Sequence, residues 1–320
     1  MDRAAATRVA RLLIDNVQRV IRGNQGVVET GAIAMFAGGH LLIHDVPGVG
    51  KTMLGRSLAR SIRGTFKRVQ ATPDLLPSDI TGSTVYRGTD GAFEFIPGPV
   101  FANIVMVDEI NRATPRTQSA LLEAMDENAV TVDGVRHPLP EPLFVVATQN
   151  PVEHHGTFPL PEGQLDRFAV ASQMGYVDRG TERDIVRAQL LSHPIEDLES
   201  VLNPDDVLGV RRQVRSTHIS EAVMDYALAL CTATRSHRAV ELGASPRATI
   251  GLVRCAQARA LIHSRDYVVP DDIKSLALAA LAHRIVIRSD FRFDRAKSSQ
   301  IVAEVVQDTP VPVAGPPLPL

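Results

Sequence analysis

The sequence predicts an α/β protein, a parallel sheet carrying two hairpin insertions and followed by an all-helical second domain, on three observations. Short apolar runs at residues 40–45, 66–70, 104–107 and 143–147 alternate with helical patterns, the rhythm of a sheet covered on both faces. Residues 80–96 and 129–139 each place short β-type segments around a glycine-containing turn, and Asp133-Gly134 in the second is a strong hairpin signal. From about residue 187 onward the spacing is helical throughout.

Taken in order, Val9, Leu12, Leu13, Val17, Val20 and Ile21 follow helical spacing and Gly23 supplies a stop, so the chain opens on an amphipathic helix. A second short helix runs up to Gly38-Gly39, and the apolar run HLLIHD then delivers the chain into a glycine-rich loop and a helix over 53–63. Further on, Val223, Tyr226, Ala227 and Leu230 keep an i, i+3, i+4, i+7 spacing. Ile273, Leu276, Ala277 and Ala280 repeat it after Pro270-Asp271-Asp272, a good helix start. The expected division is an αβα domain with its N-terminal helix over 1–186, a helical domain over 187–308, and a tail over 309–320. That tail, TPVPVAGPPLPL, reads as disordered, with a polyproline ligand as the alternative.

Composition narrows the class. With 320 residues, 44% hydrophobic and 22% charged, the chain has the make-up of about two globular domains and is neither disordered nor collagen-like. A net charge of −2 provides no global pull toward nucleic acid or an anionic membrane. Cys231 and Cys255 sit in apolar helical segments away from any CxxC, and buried reduced thiols are expected. Asp2, Arg3, Arg8 and Arg11 interrupt any leader-like apolar run, and no stretch reaches the about 18 apolar residues of a membrane span. A cytoplasmic protein without a membrane span is therefore expected.

The chemistry concentrates in a few strings. Asp45-Val46-Pro47-Gly48-Val49-Gly50-Lys51-Thr52 lies between an apolar strand and a helix, the setting of a phosphate-binding P-loop. Gly48 and Gly50 free backbone N–H groups to face phosphate, and the helix N-terminus adds its positive end. Lys51 is expected on the β/γ-phosphates and the Thr52 hydroxyl on Mg²⁺, so the stretch from Asp45 to Met53 is the expected ATP-binding segment. Asp45 departs from the first glycine of GxxxxGK[ST]. Ile104-Val-Met-Val-Asp108-Glu109 ends an apolar strand in two carboxylates, a Walker B pattern. Asp108 would hold Mg²⁺ through its water shell, and Glu109 would orient and deprotonate the attacking water.

Asn150 closes another apolar strand. It reads either as an amide holding water or γ-phosphate, or as a turn residue before Pro151. Arg167 in QLDRF and Arg247 in SPR read, by themselves, as ordinary surface or salt-bridged arginines. His154-His155 has no HExxH or Cys/His set with it and reads as a solvent-facing pair, which leaves Mg²⁺ as the one expected metal.

The strings ATPDLLPSDITG, DEINRATPRTQSALLEAM, ATQNP, LPEGQLDRF, GASPRA and RDYVVPDDI, in that order, resemble the MoxR family of AAA+ ATPases over about residues 12–290. The resemblance implies that Asn150 is the sensor 1 residue, Arg167 the arginine finger and Arg247 the sensor 2 arginine. It leaves open whether Arg247 acts in its own subunit or across a boundary. It also implies that Ile21 and Gly23 lie in the stretch that holds adenine, that Asp45 is tolerated, and that the helical domain is a lid.

A homo-oligomeric ring, a hexamer by resemblance, would hydrolyse ATP with Mg²⁺ at its subunit boundaries. The two hairpins look like the helix 2 insert and pre-sensor 1 hairpin of the clade that includes magnesium chelatase. Their tips at 87–91 and 133–134 would either contact a partner or serve the fold. The implied task is chaperone-like remodelling, maturation or metal insertion of a client protein, with a VWA-domain partner. The alternatives are a nucleic-acid motor or loader, which the charge balance disfavours, and a nucleotide-gated assembly scaffold with little turnover.

Overall fold

In chain order, α1 (Arg3–Gln18) and α2 (Gln25–Ala37) lead into β1 (Leu41–His44), followed by α3 (Lys51–Ser61), β2 (Phe66–Gln70) and the short α4 (Pro77–Thr81). A hairpin of β3 (Gly82–Arg87) and β4 (Ala92–Pro97) precedes β5 (Ile104–Asp108) and α5 (Pro115–Glu127). A second hairpin, β6 (Ala129–Val132) and β7 (Val135–Pro138), precedes β8 (Phe144–Gln149), α6 (Glu162–Leu165) and β9 (Val170–Ser172). Next come α7 (Arg179–Leu191), α8 (Pro204–Arg215), α9 (Glu221–Ser236), β10 (Val240–Leu242) and α10 (Pro246–Ile262). The chain then runs through α11 (Pro270–Leu281), β11 (Val286–Ile287), α12 (Ser289–Arg292) and α13 (Ser298–Asp308). This is a computed structural model, and it describes residues 1–312 apart from 47, 89–91, 151–155, 192 and 293–296. Pro47, most of the first hairpin tip, Pro151, His154-His155 and most of the proline-rich tail thus lie outside the described residues.

The central sheet is parallel and five-stranded, in the order β2-β5-β8-β1-β9. β5 is buried along its whole length and β8 over its first five residues, which is why neither sequence alternates. Leu41 pairs with both Val146 and Val170, and Ile104 with Phe144. All strands therefore start at one edge of the sheet and release Asp45, Asp108 and Asn150 at the other.

Three features differ from expectation. α1 ends at Gln18, so Val20 and Ile21 lie beyond the helix; Ile21 is buried in the following loop, and its spacing reports burial. β9 is a fifth strand, only three residues long, too short to show a period. β10 and β11 form a small antiparallel pair inside the otherwise helical C-terminal part.

Both expected hairpins are present. Asp133 and Gly134 take φ of 49° and 79°, the doubly left-handed turn that Asp-Gly favours. Stacking of Phe95 on His137, with ring centroids 3.9 Å apart, ties the two hairpins together.

One hydrophobic core lies between the sheet and α1 to α3 and continues into α8 to α11 and α13. A second fills the opposite face, under α5 and the hairpins. Thr7 donates to the Leu261 carbonyl at 3.0 Å and Arg3 to the Thr217 hydroxyl at 2.8 Å, so the N-terminal helices are stitched to the C-terminal ones. Cys231 and Cys255 are buried free thiols; burial pushes Cys255 up to about 12, which leaves it unreactive. Among the described residues no helix is long and apolar enough to cross a membrane.

Candidate active site

The loop after β1 has the backbone that phosphate binding requires. Gly48 and Gly50 sit at φ of 86° and 97°, open to glycine and costly for other residues. A Cβ built on Gly48 would meet nothing within 4 Å, so its backbone faces open space. Gly50 caps α3 without a side-chain hydrogen bond, which leaves the first N–H groups of that helix for a ligand. Lys51 Nζ donates to the carbonyls of Asp45 and Val46 at 2.9 and 3.1 Å, arching over the loop, and Thr52 and Met53 follow in the first turn of α3.

Asp45 has a structural task of its own. Buried, it accepts from the amide of Val46 at 2.8 Å through Oδ1, and from the amides of Met174 and Gly175 at 2.6 and 2.8 Å through Oδ2. A glycine there could not make this clasp.

The carboxylates at the end of β5 lie at the same edge. Asp108 is buried, with Arg68 Nε on Oδ2 at 2.6 Å and the Thr148 hydroxyl on Oδ1 at 3.4 Å. Glu109 takes φ 55°, an uncommon left-handed position for a residue with a side chain. Its amide donates to Thr148 Oγ1 at 2.9 Å, and its Oε2 accepts from Arg112 at 3.0 Å and Gln70 at 3.4 Å. Asn150 is buried directly after β8. Oxygen donors from Thr52 and Asp108 form the set a hard cation such as Mg²⁺ prefers.

Beside the loop, a cavity of about 350 Å³ is lined by Ile21, Val49, Met53, Met174, Tyr176 and Ile185, among others. Its apolar walls suit a planar base. Between Arg22 and Asn24, which line it, Gly23 sits at φ 78°, where an added Cβ would lie 2.8 Å from Thr181 and 2.9 Å from the lining residue Val177. Close approach therefore requires glycine at this turn.

Arg167 and Arg247 lie elsewhere. Both pair with Asp126, Arg167 Nε at 2.6 Å from Oδ2 and Arg247 Nη2 at 2.8 Å from Oδ1. They share a cavity with Gly39 and His40, the residues just before β1, and Ala169 donates to the His40 carbonyl at 2.9 Å. These arginines thus stand at the starting edge of the sheet, the edge opposite Lys51, Asp108 and Glu109.

Comparison with known proteins adds to this geometry. A family description, ATPase family associated with various cellular activities (AAA), matches residues 40–170, and an AAA lid domain matches 232–305. Chaperone MoxR1 of Mycobacterium tuberculosis is 37% identical over 318 residues, covering 97% of this chain and 84% of that one. The chain belongs to the MoxR family of AAA+ ATPases. Another relative, the uncharacterized protein YeaC of Bacillus subtilis, is 48% identical over 300 residues and 94% of each chain. The crystal structure of a candidate ATPase from Cytophaga hutchinsonii superposes with a TM-score of 0.90 at 36% identity, over 97% of both chains.

For a MoxR-family chain, sequence reasoning missed Met174 and Gly175 on Asp45, Tyr176 and α7 around the cavity, Arg68 on Asp108, Arg112 and Gln70 on Glu109, and Asp126 between the two arginines. Arg112 stands three residues after Glu109 in DEINR, and helical spacing was a signal for it. Most of the others come from distant segments and left none.

Proposed function

We propose that this MoxR-family protein is a Mg²⁺-dependent ATPase whose catalytic sites are completed across the subunit boundaries of a homo-oligomeric ring, a hexamer by family. One observation carries the reading: Lys51 and Glu109 stand at the carboxyl edge of the sheet, while Arg167 and Arg247 stand at its amino edge. β1, which separates the edges, has four residues and spans about 13 Å at roughly 3.3 Å per residue. Arginines that distant serve a neighbour's nucleotide better than their own, and on this reading Arg247, like Arg167, acts across the boundary.

In each site the N–H groups of Gly48 and Gly50, with Lys51, would hold the phosphates. Ile21, Gly23, Val49 and Met53 would hold the base. Thr52 and Asp108 would hold Mg²⁺, which when bound neutralises phosphate charge. Glu109 would take the proton of the attacking water, Asn150 would orient that water, and Arg167 and Arg247 of the adjoining subunit would stabilise the transferring phosphoryl group.

Residues 1–186 would form the nucleotide-binding unit and 187–308 the lid, so that turnover changes their relation and drives chaperone-like remodelling, maturation or metal insertion of a client protein in the cytoplasm. A VWA-domain protein would be the partner. MoxR1 carries the name chaperone, which supports the direction of this reading. The test mixes two inactive variants: Glu109→Gln lacks the base and Arg167→Ala lacks the finger, and mixed rings should regain turnover at boundaries where an intact base meets an intact finger. Failure of the mixture to recover activity, with rings verified, would sink the shared-site reading.

A further inference from the structure

The two arginines converge on one carboxylate that no motif singles out. Asp126 is the second-last residue of α5, and it receives Arg167 on one oxygen and Arg247 on the other. Arg167 comes from the loop between α6 and β9, and Arg247 from the first turn of α10, so Asp126 gathers side chains from two separate parts of the chain. The flanking residues are fixed as well. Ser245 Oγ donates to Asp166 Oδ2 at 2.7 Å, and the buried Arg284 pairs with Asp166 Oδ1 at 3.0 Å.

We propose that Asp126 is a positioning residue that holds Arg167 and Arg247 side by side as one pair for the polyphosphate of a neighbouring subunit. The proposal rests on the shared-site reading above. Two guanidinium groups repel one another, and long arginine side chains sample many rotamers; a carboxylate between them cancels the first effect and removes the second. A guanidinium carries five N–H donors. Asp126 takes Nε of Arg167 and one Nη of Arg247, which leaves donors of both groups for phosphate oxygens. The cavity beside the pair, about 490 Å³ and bordered by Gly39, Ile250 and Arg254, gives a neighbour's phosphates room to approach.

A purely structural ion pair would have a different signature. The side chains of Asp126, Arg167 and Arg247 keep 24%, 26% and 51% exposure, and exposed pairs contribute little to folding.

The test measures ATPase kinetics, ring size and thermal unfolding for Asp126→Asn, Asp126→Glu and Arg167→Ala in the full chain. Asp126→Asn is expected to lower kcat by about ten- to a hundredfold, the scale of a misplaced catalytic group, with KM for ATP within about twofold. Its Tm is expected within about 4 °C of wild type, and Asp126→Glu is expected to restore much of the rate. Asp126→Asn with wild-type kcat, beside an Arg167→Ala that has lost turnover, would overturn the proposal and leave the shared-site reading standing. Arg167→Ala with wild-type turnover would overturn both. Loss of rate accompanied by loss of the ring or a collapse in Tm, unrelieved in Asp126→Glu, would assign Asp126 to the fold and equally overturn the proposal.

Discussion

Asp45 and Met174 are joined by a hydrogen bond of 2.6 Å from the Met174 amide to the Asp45 carboxylate, which ties the first residue of the phosphate loop to the segment after β9. The same oxygen takes the Gly175 amide, and the two amides lie beside Tyr176 and Val177 on the wall of the base cavity. The two halves of the candidate nucleotide site, phosphate and base, thus meet at one buried carboxylate.

Asp45→Gly, although it completes the GxxxxGK[ST] pattern, is therefore expected to weaken nucleotide binding. Removing the carboxylate strands the buried Met174 amide, at about 1–3 kcal/mol for an unsatisfied donor. Asp45→Asn keeps an acceptor oxygen and is expected to be milder. Titration with a fluorescent ATP analogue checks the order, glycine worse than asparagine worse than wild type; a glycine variant binding as tightly as wild type would remove the clasp from the argument.

Gly23→Ala tests the other wall. Its Cβ would lie 2.8 Å from Thr181 Cγ2 and 2.9 Å from Val177 Cγ1, at a φ of 78°. Strain at positive φ costs roughly 1–2 kcal/mol for a residue with a Cβ, and overpacking adds about 1–3 kcal/mol. The start of α7 must give way, so both a lower Tm and weaker adenine nucleotide binding are expected. An unchanged Tm would mean that this turn relaxes freely.

The placement of Lys51, Thr52, Asp108 and Glu109 at or after the ends of the strands β1 and β5 was readable in the sequence because each is defined within one strand and its following loop. The hairpins were readable for the same reason, Asp133-Gly134 needing nothing beyond its own backbone preference. What depends on contact across the chain was silent: Asp45 meets Met174 129 residues away, and Arg247 meets Asp126 121 residues away. Ile21 shows the opposite failure, since burial of a loop residue imitated the spacing of a helix that had already ended at Gln18. The strings that resembled a family carried the candidate roles of Arg167 and Arg247; local chemistry alone left both as ordinary arginines.

If Asp108 holds Mg²⁺ as proposed, Arg68 would compete with that cation for its carboxylate. Its Nε sits 2.6 Å from Oδ2, and the Asp108 side chain is 9% exposed while that of Arg68 is 52% exposed. Removing a positive charge this close makes the carboxylate a stronger cation ligand. Arg68→Gln is expected to lower the Mg²⁺ concentration that half-saturates ATPase activity by about three- to tenfold, each tenfold being about 1.4 kcal/mol. A Mg²⁺ titration at fixed ATP checks it, and an unchanged or raised half-saturation point would show that Arg68 orients Asp108 for the metal instead of opposing it.

His40 links the far edge of the sheet to pH. Burial lowers its pKa from about 6.5 to about 4. Its Nδ1 accepts the Val145 amide at 3.0 Å, so the neutral ring carries its proton on Nε2, which faces the Met125 carbonyl at 3.5 Å. Between pH 6.5 and 4 the unfolded chain binds a proton that the fold refuses, so stability is complete above about pH 6.5 and falls as pH drops toward 4. The loss is on the order of 3 kcal/mol for a shift of this size. Burial lowers His44 and His283 too, in the same direction. His40→Asn, whose amide oxygen can still accept from Val145, is expected to flatten the decline without abolishing it. Thermal unfolding from pH 7.5 down to 4.5 compares the two slopes, and parallel slopes for wild type and variant would exclude His40 as the source. Because the imidazole of the folded chain stays neutral down to about pH 4, its contact with the Met125 carbonyl, next to Asp126, is kept for as long as the chain is folded, so acid is expected to cost the fold before it disturbs the end of α5 through His40.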